Sequence, residues 1–136
     1  MKAVLAREFA ALEMLTLEEV PAPQAGPGQV LIATRACGVN FLDGLIVQGK
    51  YQSKPPLPFS PGAEVAGVIK AAGPGVGLAI GMRVLAMVGH GGFAEEVVTE
   101  ASNVMPLPPQ MDFTTAACFP IVYATSHHAL IERAHL

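Results

Sequence analysis

Glycine and proline recur along most of this chain and cut it into short apolar segments, and that punctuation is the strongest constraint on its fold. Short apolar runs bounded by such residues are the pattern of a β-rich domain with many short strands. Strands are predicted at 2–6 (KAVLA), 15–20 (LTLEEV), 29–39 (QVLIATRACGV), 64–73 (EVAGVIKAAG), 83–88 (RVLAMV) and 93–99 (FAEEVVT). Turns fall at APQAGPGQ, GPGVG and GHGG. In the third strand Val30, Ile32, Thr34 and Ala36 share one face, and Leu31, Ala33, Arg35 and Cys37 share the other. Both faces are partly apolar, so this strand is expected near the centre of a rolled or barrel-like sheet.

The strand pattern stops at Gly38-Val39, and NFLDGLIVQG (40–49) follows with helical character. Asn40 is a good N-cap, Asp43 stands at the third helical position, and Gly49 makes a C-terminal stop. Pro55, Pro56, Pro58 and Pro61 then stiffen a loop. From Met111 the character changes again. Asp112 or Thr114 caps a helical stretch, Pro120 breaks or restarts it, and a helix from Ile121 to Ala134 carries Ile121, Val122, Leu130 and Ile131. That apolar content needs something to pack on, either the β-rich part or further chain. The boundary is set at residue 112, with a β domain at 1–112 and a helical segment at 113–136.

Several function classes are disfavoured. The net charge is −3 with no basic run, so neither nucleic acid nor an anionic membrane is indicated as a partner. No apolar run approaches the roughly 18 residues of a membrane span, and Arg7 and Glu8 interrupt the opening apolar stretch too early for a signal peptide. The cytoplasm is therefore the expected location. Only 14% of residues are charged, against roughly 25% in ordinary soluble domains, which suggests a surface partly covered by another domain or subunit. A homo-oligomer is left open.

Individual residues carry less. Cys37 and Cys118 are far apart with no CxxC, and each reads as a small core residue. Cys37, Cys118, His90, His127, His128, Asp43 and Glu64 show no metal-ligand spacing, and adjacent His127 and His128 would point about 100° apart on a helix. There is no G-x-S-x-G. The glycines of GPGVG lie between two strands, so they read as a turn rather than a phosphate loop. Asn40 by itself is more often a cap than a site residue, and Tyr51 in its loop is uninformative alone.

The order of segments is more specific. GPGQVLIATRACGVNFLD, GKYQSKPPLPFSPGAEVAGVI, GVGLAIGMRVLAM, GGFAEEVV and AACFPIVYATSHHAL follow one another as in the medium-chain dehydrogenase/reductase superfamily, and the chain resembles its quinone oxidoreductase branch over nearly all of its length. The resemblance implies a mainly β fold with α: a GroES-like, partly open β-barrel with short helices and a C-terminal helix. It implies a nucleotide-binding Rossmann domain just beyond Leu136, so the chain is expected to be a catalytic domain cut off from that partner and inactive alone.

The resemblance also implies chemistry without zinc. Where zinc-dependent alcohol dehydrogenases of the superfamily place a cysteine ligand, this chain has Asn40; for Gly-His-Glu it has Gly62-Ala63-Glu64; near the third ligand it has Ile121; and the four-cysteine structural zinc lobe is missing. In the quinone oxidoreductases, Asn40 would bind near the nicotinamide ribose or the substrate, Tyr51 would line the pocket against the cofactor, and Thr125 would bond the nicotinamide carboxamide. NADPH would pass hydride to a quinone or conjugated carbonyl. An enone or enoyl-thioester reductase of the same superfamily is the alternative enzyme, and a non-catalytic GroES-like binding module is the alternative of another class. Two departures stand out. Leu45 replaces a second aromatic found in some members, and Met82 replaces the turn Asp of G-D-R-V, a change expected to affect only the turn.

Overall fold

A computed structural model describes residues 1–136. Seven strands run in the order β1 (Lys2–Leu5), β2 (Thr16–Glu19), β3 (Gln29–Cys37), β4 (Glu64–Ala72), β5 (Arg83–Met87), β6 (Glu96–Glu100) and β7 (Val104–Pro106). Helix α1 (Phe41–Val47) lies between β3 and β4, and α2 (Phe113–Ala117) and α3 (Pro120–His127) follow β7. α3 continues as a π-helical turn, His128–Arg133.

All strand pairs are antiparallel. β1 and β2 form a two-stranded sheet, and the other five form a sheet in the order β6-β3-β4-β5-β7. The two sheets are stitched by bridges Ala3–Ala94 and Ala6–Phe59, with Val4 N–H donating to Phe93 O at 2.8 Å and Ala6 and Phe59 exchanging bonds of 2.8 and 3.1 Å. The sheet thus rolls toward itself into the expected partly open barrel, which leaves fewer unpaired strand edges.

β-branched residues build the main core. Val30, Ile32, Val65, Ile69, Val84, Ala86, Val97 and Val104 are drawn from all five strands of the larger sheet. On its other face Ala66, Leu85 and Leu107 receive Ala116 and Ala117 of α2. A third cluster, Ala6, Ile46, Val47 and Phe59, lies under α1.

β3 departs from simple alternation. Its pairing with β4 slips between Thr34 and Ala36, which face the adjacent residues Gly67 and Ala66. Such a bulge adds one residue to one strand and turns all that follow it to the opposite face. Ala36, expected beside Val30 and Ile32, packs instead with the Leu85 cluster, and Cys37 takes its place against the main core.

Two other expectations shift, and one strand stands where none is expected. The strand expected at 93–99 begins at Glu96, because the stretch before it turns to β1, with Phe93 O accepting from Val4 N–H and Glu95 N–H donating to Lys2 O. β7 is too short, at three residues, for a period-two pattern to show. Met82 does more than turn the chain, since its side chain packs against the main core.

The helices start where their caps predict. Asp112 Oδ1 accepts from Thr115 N–H at 2.8 Å at the head of α2, and Pro120 occupies the first turn of α3, where its missing N–H costs nothing. Gly49, at φ +66°, stops α1 in a conformation that L side chains rarely adopt. Pro120 is the one buried residue of α3, while Val122, Leu130 and Ile131 are exposed.

Candidate active site

The site is built on the corner where β3 ends and α1 begins. Asn40 is the N-cap of α1 and Asp43 its third residue, arranged as a capping box. Its well-formed bond runs from Asn40 N–H to Asp43 Oδ2 at 2.8 Å. Asp43 is buried and also accepts from Gly62 N–H through Oδ1 at 3.3 Å. Burial raises its carboxyl above the ordinary value, against the opposing pull of those backbone donors.

The Asn40 side chain turns to β4. Its Nδ2 donates to Glu64 Oε1 at 2.8 Å, and Glu64 Oε2 accepts from Ile121 N–H, at the start of α3, at 2.9 Å. Glu64 is 1% exposed, and a buried carboxylate is tolerated only when its oxygens are so engaged. One side chain therefore ties β4, the cap of α1 and the N-terminus of α3 together. Sequence reasoning did not assign Glu64 this role. The available signal was a charged residue opening the apolar run EVAGVI, a place where a lone carboxylate needs partners.

Tyr51 and Thr125 are brought together. Both line a cleft of about 330 Å³ whose walls include Leu42, Ile46, Ala63 and Ile121. Asn40 lines a different cleft, of about 360 Å³, on the other side of α1, with Leu12, Leu15, Phe41, Leu45 and Phe93. It reaches the first cleft through Glu64 and Ile121. Thr125 lies one helical turn beyond Ile121, with its side chain exposed. Thr125 carries a hydroxyl that can both donate and accept, and Tyr51 is half-buried.

The donors around this corner do not suit zinc. The three positions where the resemblance implies zinc ligands hold Asn40, Ala63 and Ile121, an amide and two aliphatic side chains, in place of the thiolates and imidazole that such a centre uses. Cys37 is packed rather than poised. Its Sγ donates to Glu64 O at 3.0 Å, and burial, with Asp43 and Glu64 nearby, pushes its thiol up to about 12. Cys118 is exposed and free. His128 Nδ1 lies 2.7 Å from Glu132 Oε2 on the exposed turn.

The chain is similar to known proteins over nearly all of its length. The family described as "Alcohol dehydrogenase GroES-like domain" matches residues 26–109. Quinone oxidoreductase of Rattus norvegicus is 40% identical over 139 residues, covering 98% of this chain and 42% of its own. The solved structure of human synaptic vesicle membrane protein VAT-1 homolog-like protein superposes with a TM-score of 0.96 at 37% identity, covering 100% of this chain and 44% of that one. The quinone oxidoreductase from Thermus thermophilus, solved with and without NADPH, superposes at 0.85 with 34% identity, covering 99% and 41%. The chain thus spans less than half the length of each. It belongs to the alcohol dehydrogenase GroES-like domain family of the medium-chain dehydrogenase/reductase superfamily, in the company of the quinone oxidoreductases.

Proposed function

We propose that this chain is the catalytic domain of an NADPH-dependent quinone oxidoreductase that works without zinc, divided into a GroES-like domain at 1–112 and a helical segment at 113–136 that leads toward a nucleotide-binding domain. The observation that carries the reading is the convergence of Asn40, Ala63 and Ile121 around buried Glu64, beside a cleft lined by Tyr51 and Thr125. NADPH, when bound, supplies the hydride. Thr125 orients the carboxamide through its hydroxyl, and Tyr51 forms the wall against which the ring lies. Leu42, Ile46 and Ala63 keep water from the cleft, and Asn40 fixes a second polar point near the ribose or the substrate. A quinone suits such a site. Its reduction yields an aromatic ring and needs little help from a Lewis acid, so positioning supplies much of the rate. Its protons come from water. The cytoplasm is part of this proposal; no helix of the structure is long and apolar enough to cross a membrane.

The test is to supply the full-length parent with NADPH and a panel of quinones and enones, following absorbance of the reduced nicotinamide. Quinones are expected to be the fastest acceptors, with no zinc found by elemental analysis and no inhibition by chelators. Faster turnover of enones would move the assignment to the enone reductase reading. Failure of every acceptor would leave a binding module. The 136-residue chain alone is expected to show no turnover, because a nucleotide's pyrophosphate is normally held by the Rossmann half.

A further inference from the structure

We infer that Glu64 is a positioning residue that fixes the Asn40 amide with Oδ1 outward, so that Asn40 receives a hydroxyl from its ligand and does not donate to the carbonyl of the acceptor. The identity of the ligand rests on the function proposed above; the orientation of Asn40 does not.

An asparagine side chain has a donor end and an acceptor end, and nothing in its shape chooses between them. Glu64 makes the choice. As a carboxylate it can only accept, so the Asn40 atom 2.8 Å from Oε1 must be Nδ2. Turning the amide over would set oxygen against oxygen beside a side chain that is 1% exposed. Glu64 cannot swing away to relieve this, because Oε2 is held by Ile121 N–H at 2.9 Å. Oδ1 consequently points away from Glu64. One lone pair faces the head of α1 in the capping box, and the other is left for a ligand.

A carbonyl arriving there would meet acceptor with acceptor. A hydroxyl would complete the bond, and two sources carry one: a ribose of the cofactor, or the phenolic group of a reduced quinone. The same carboxylate anchors the start of α3, one turn before Thr125. The hydroxyl-binding point at Asn40 and the carboxamide-binding point at Thr125 are thus spaced by a single side chain.

The test exchanges donor and acceptor across the bond. In Glu64→Gln, Oε1 can still accept from Ile121 N–H, but Nε2 now faces Asn40, which must turn its NH2 toward the ligand. In Asn40→Asp, two carboxylates confront each other. In the double variant the new amide at position 64 donates to the new carboxylate at position 40. The second oxygen of that carboxylate again points outward, and the net charge returns to that of the original chain. On the full-length parent, each single variant is expected to weaken about tenfold or more the binding of the ligand that supplies the hydroxyl, read as the KM for NADPH if it is the ribose and as the inhibition constant of the hydroquinone if it is the product, with a smaller effect on kcat, and the double variant is expected to recover to within about threefold. If NADP+ inhibition follows the same pattern, the hydroxyl is the ribose's; if hydroquinone inhibition does, it is the product's. Either keeps the assignment. A double variant no better than the singles, with all three folded by denaturant midpoint, would overturn it. So would an effect confined to the KM of the quinone. Should the parent oxidise no NADPH at all, the 136-residue chain still decides the orientation. Slowly exchanging Asn40 side-chain amide protons in its NMR spectrum, lost in Glu64→Gln, support it, and rapid exchange before substitution overturns it.

Discussion

Gly38 and Glu64 approach so closely that a methyl group on Gly38 would sit 2.3 Å from Glu64 Oε1 and 2.6 Å from the Ala117 carbonyl oxygen. The close fit has little room to relax, since Ala117 O is backbone and Glu64 is anchored at both oxygens. Gly38→Ala is expected to destabilise the chain by about 2–3 kcal/mol. Urea denaturation measures this, and a loss under about 0.5 kcal/mol would mean that the corner shifts freely.

The two cysteines should differ sharply towards alkylation. Burial holds the Cys37 thiol up to about 12, so at pH 8 its thiolate fraction is on the order of 10⁻⁴. Cys118 is exposed. Iodoacetamide on the native protein, followed by peptide mass analysis, is expected to label Cys118 and spare Cys37. Equal labelling would contradict the packed position of Cys37.

Asp43 gives a pH dependence with a definite sign. Its folded carboxyl titrates above the ordinary 3.8, chiefly through burial, so between those two values the folded chain binds more protons than the unfolded one. Its contribution is complete below about pH 3.8 and falls as pH rises through the folded value. Asp43→Asn removes this titration and one acceptor, for Asn40 or Gly62 N–H, at a cost of about 1–2 kcal/mol. The stability gap between parent and variant, measured by denaturation from about pH 3 to about pH 7, is expected to narrow as pH rises. A gap that widens would reverse the assignment.

Thr125→Val keeps the shape of the side chain and removes its hydroxyl. In the full-length parent the KM for NADPH is expected to rise about five- to tenfold, the equivalent of one hydrogen bond, while the thermal stability of the 136-residue chain stays nearly unchanged because the residue is exposed there. An unaltered KM would remove Thr125 from the cofactor site.

The local features of this fold were the legible ones. The caps at Asn40 and Asp112, the stop at Gly49 and the restart at Pro120 each depend on a few neighbouring residues, and the sequence carries those rules directly. The placement of Ala36 and Cys37 was not legible, because it depends on how β3 pairs with a strand about thirty residues away. The Glu64 clamp was hidden for the same reason. Its partners stand 24 and 57 residues distant, and no local pattern records them. Asn40 and Thr125 are singled out by family resemblance alone, whereas the side chain that joins the cap of α1 to the start of α3 is seen only in three dimensions.

The slip in β3 bears on grafting. A designer transplanting residues 29–40 as a cassette would carry every side chain of the segment yet could lose the corner, because the orientation of everything after Thr34 is dictated by Gly67 and Ala66 across the ladder. The transferable module is the strand pair, and Asn40 arrives facing Glu64 only when both members travel together.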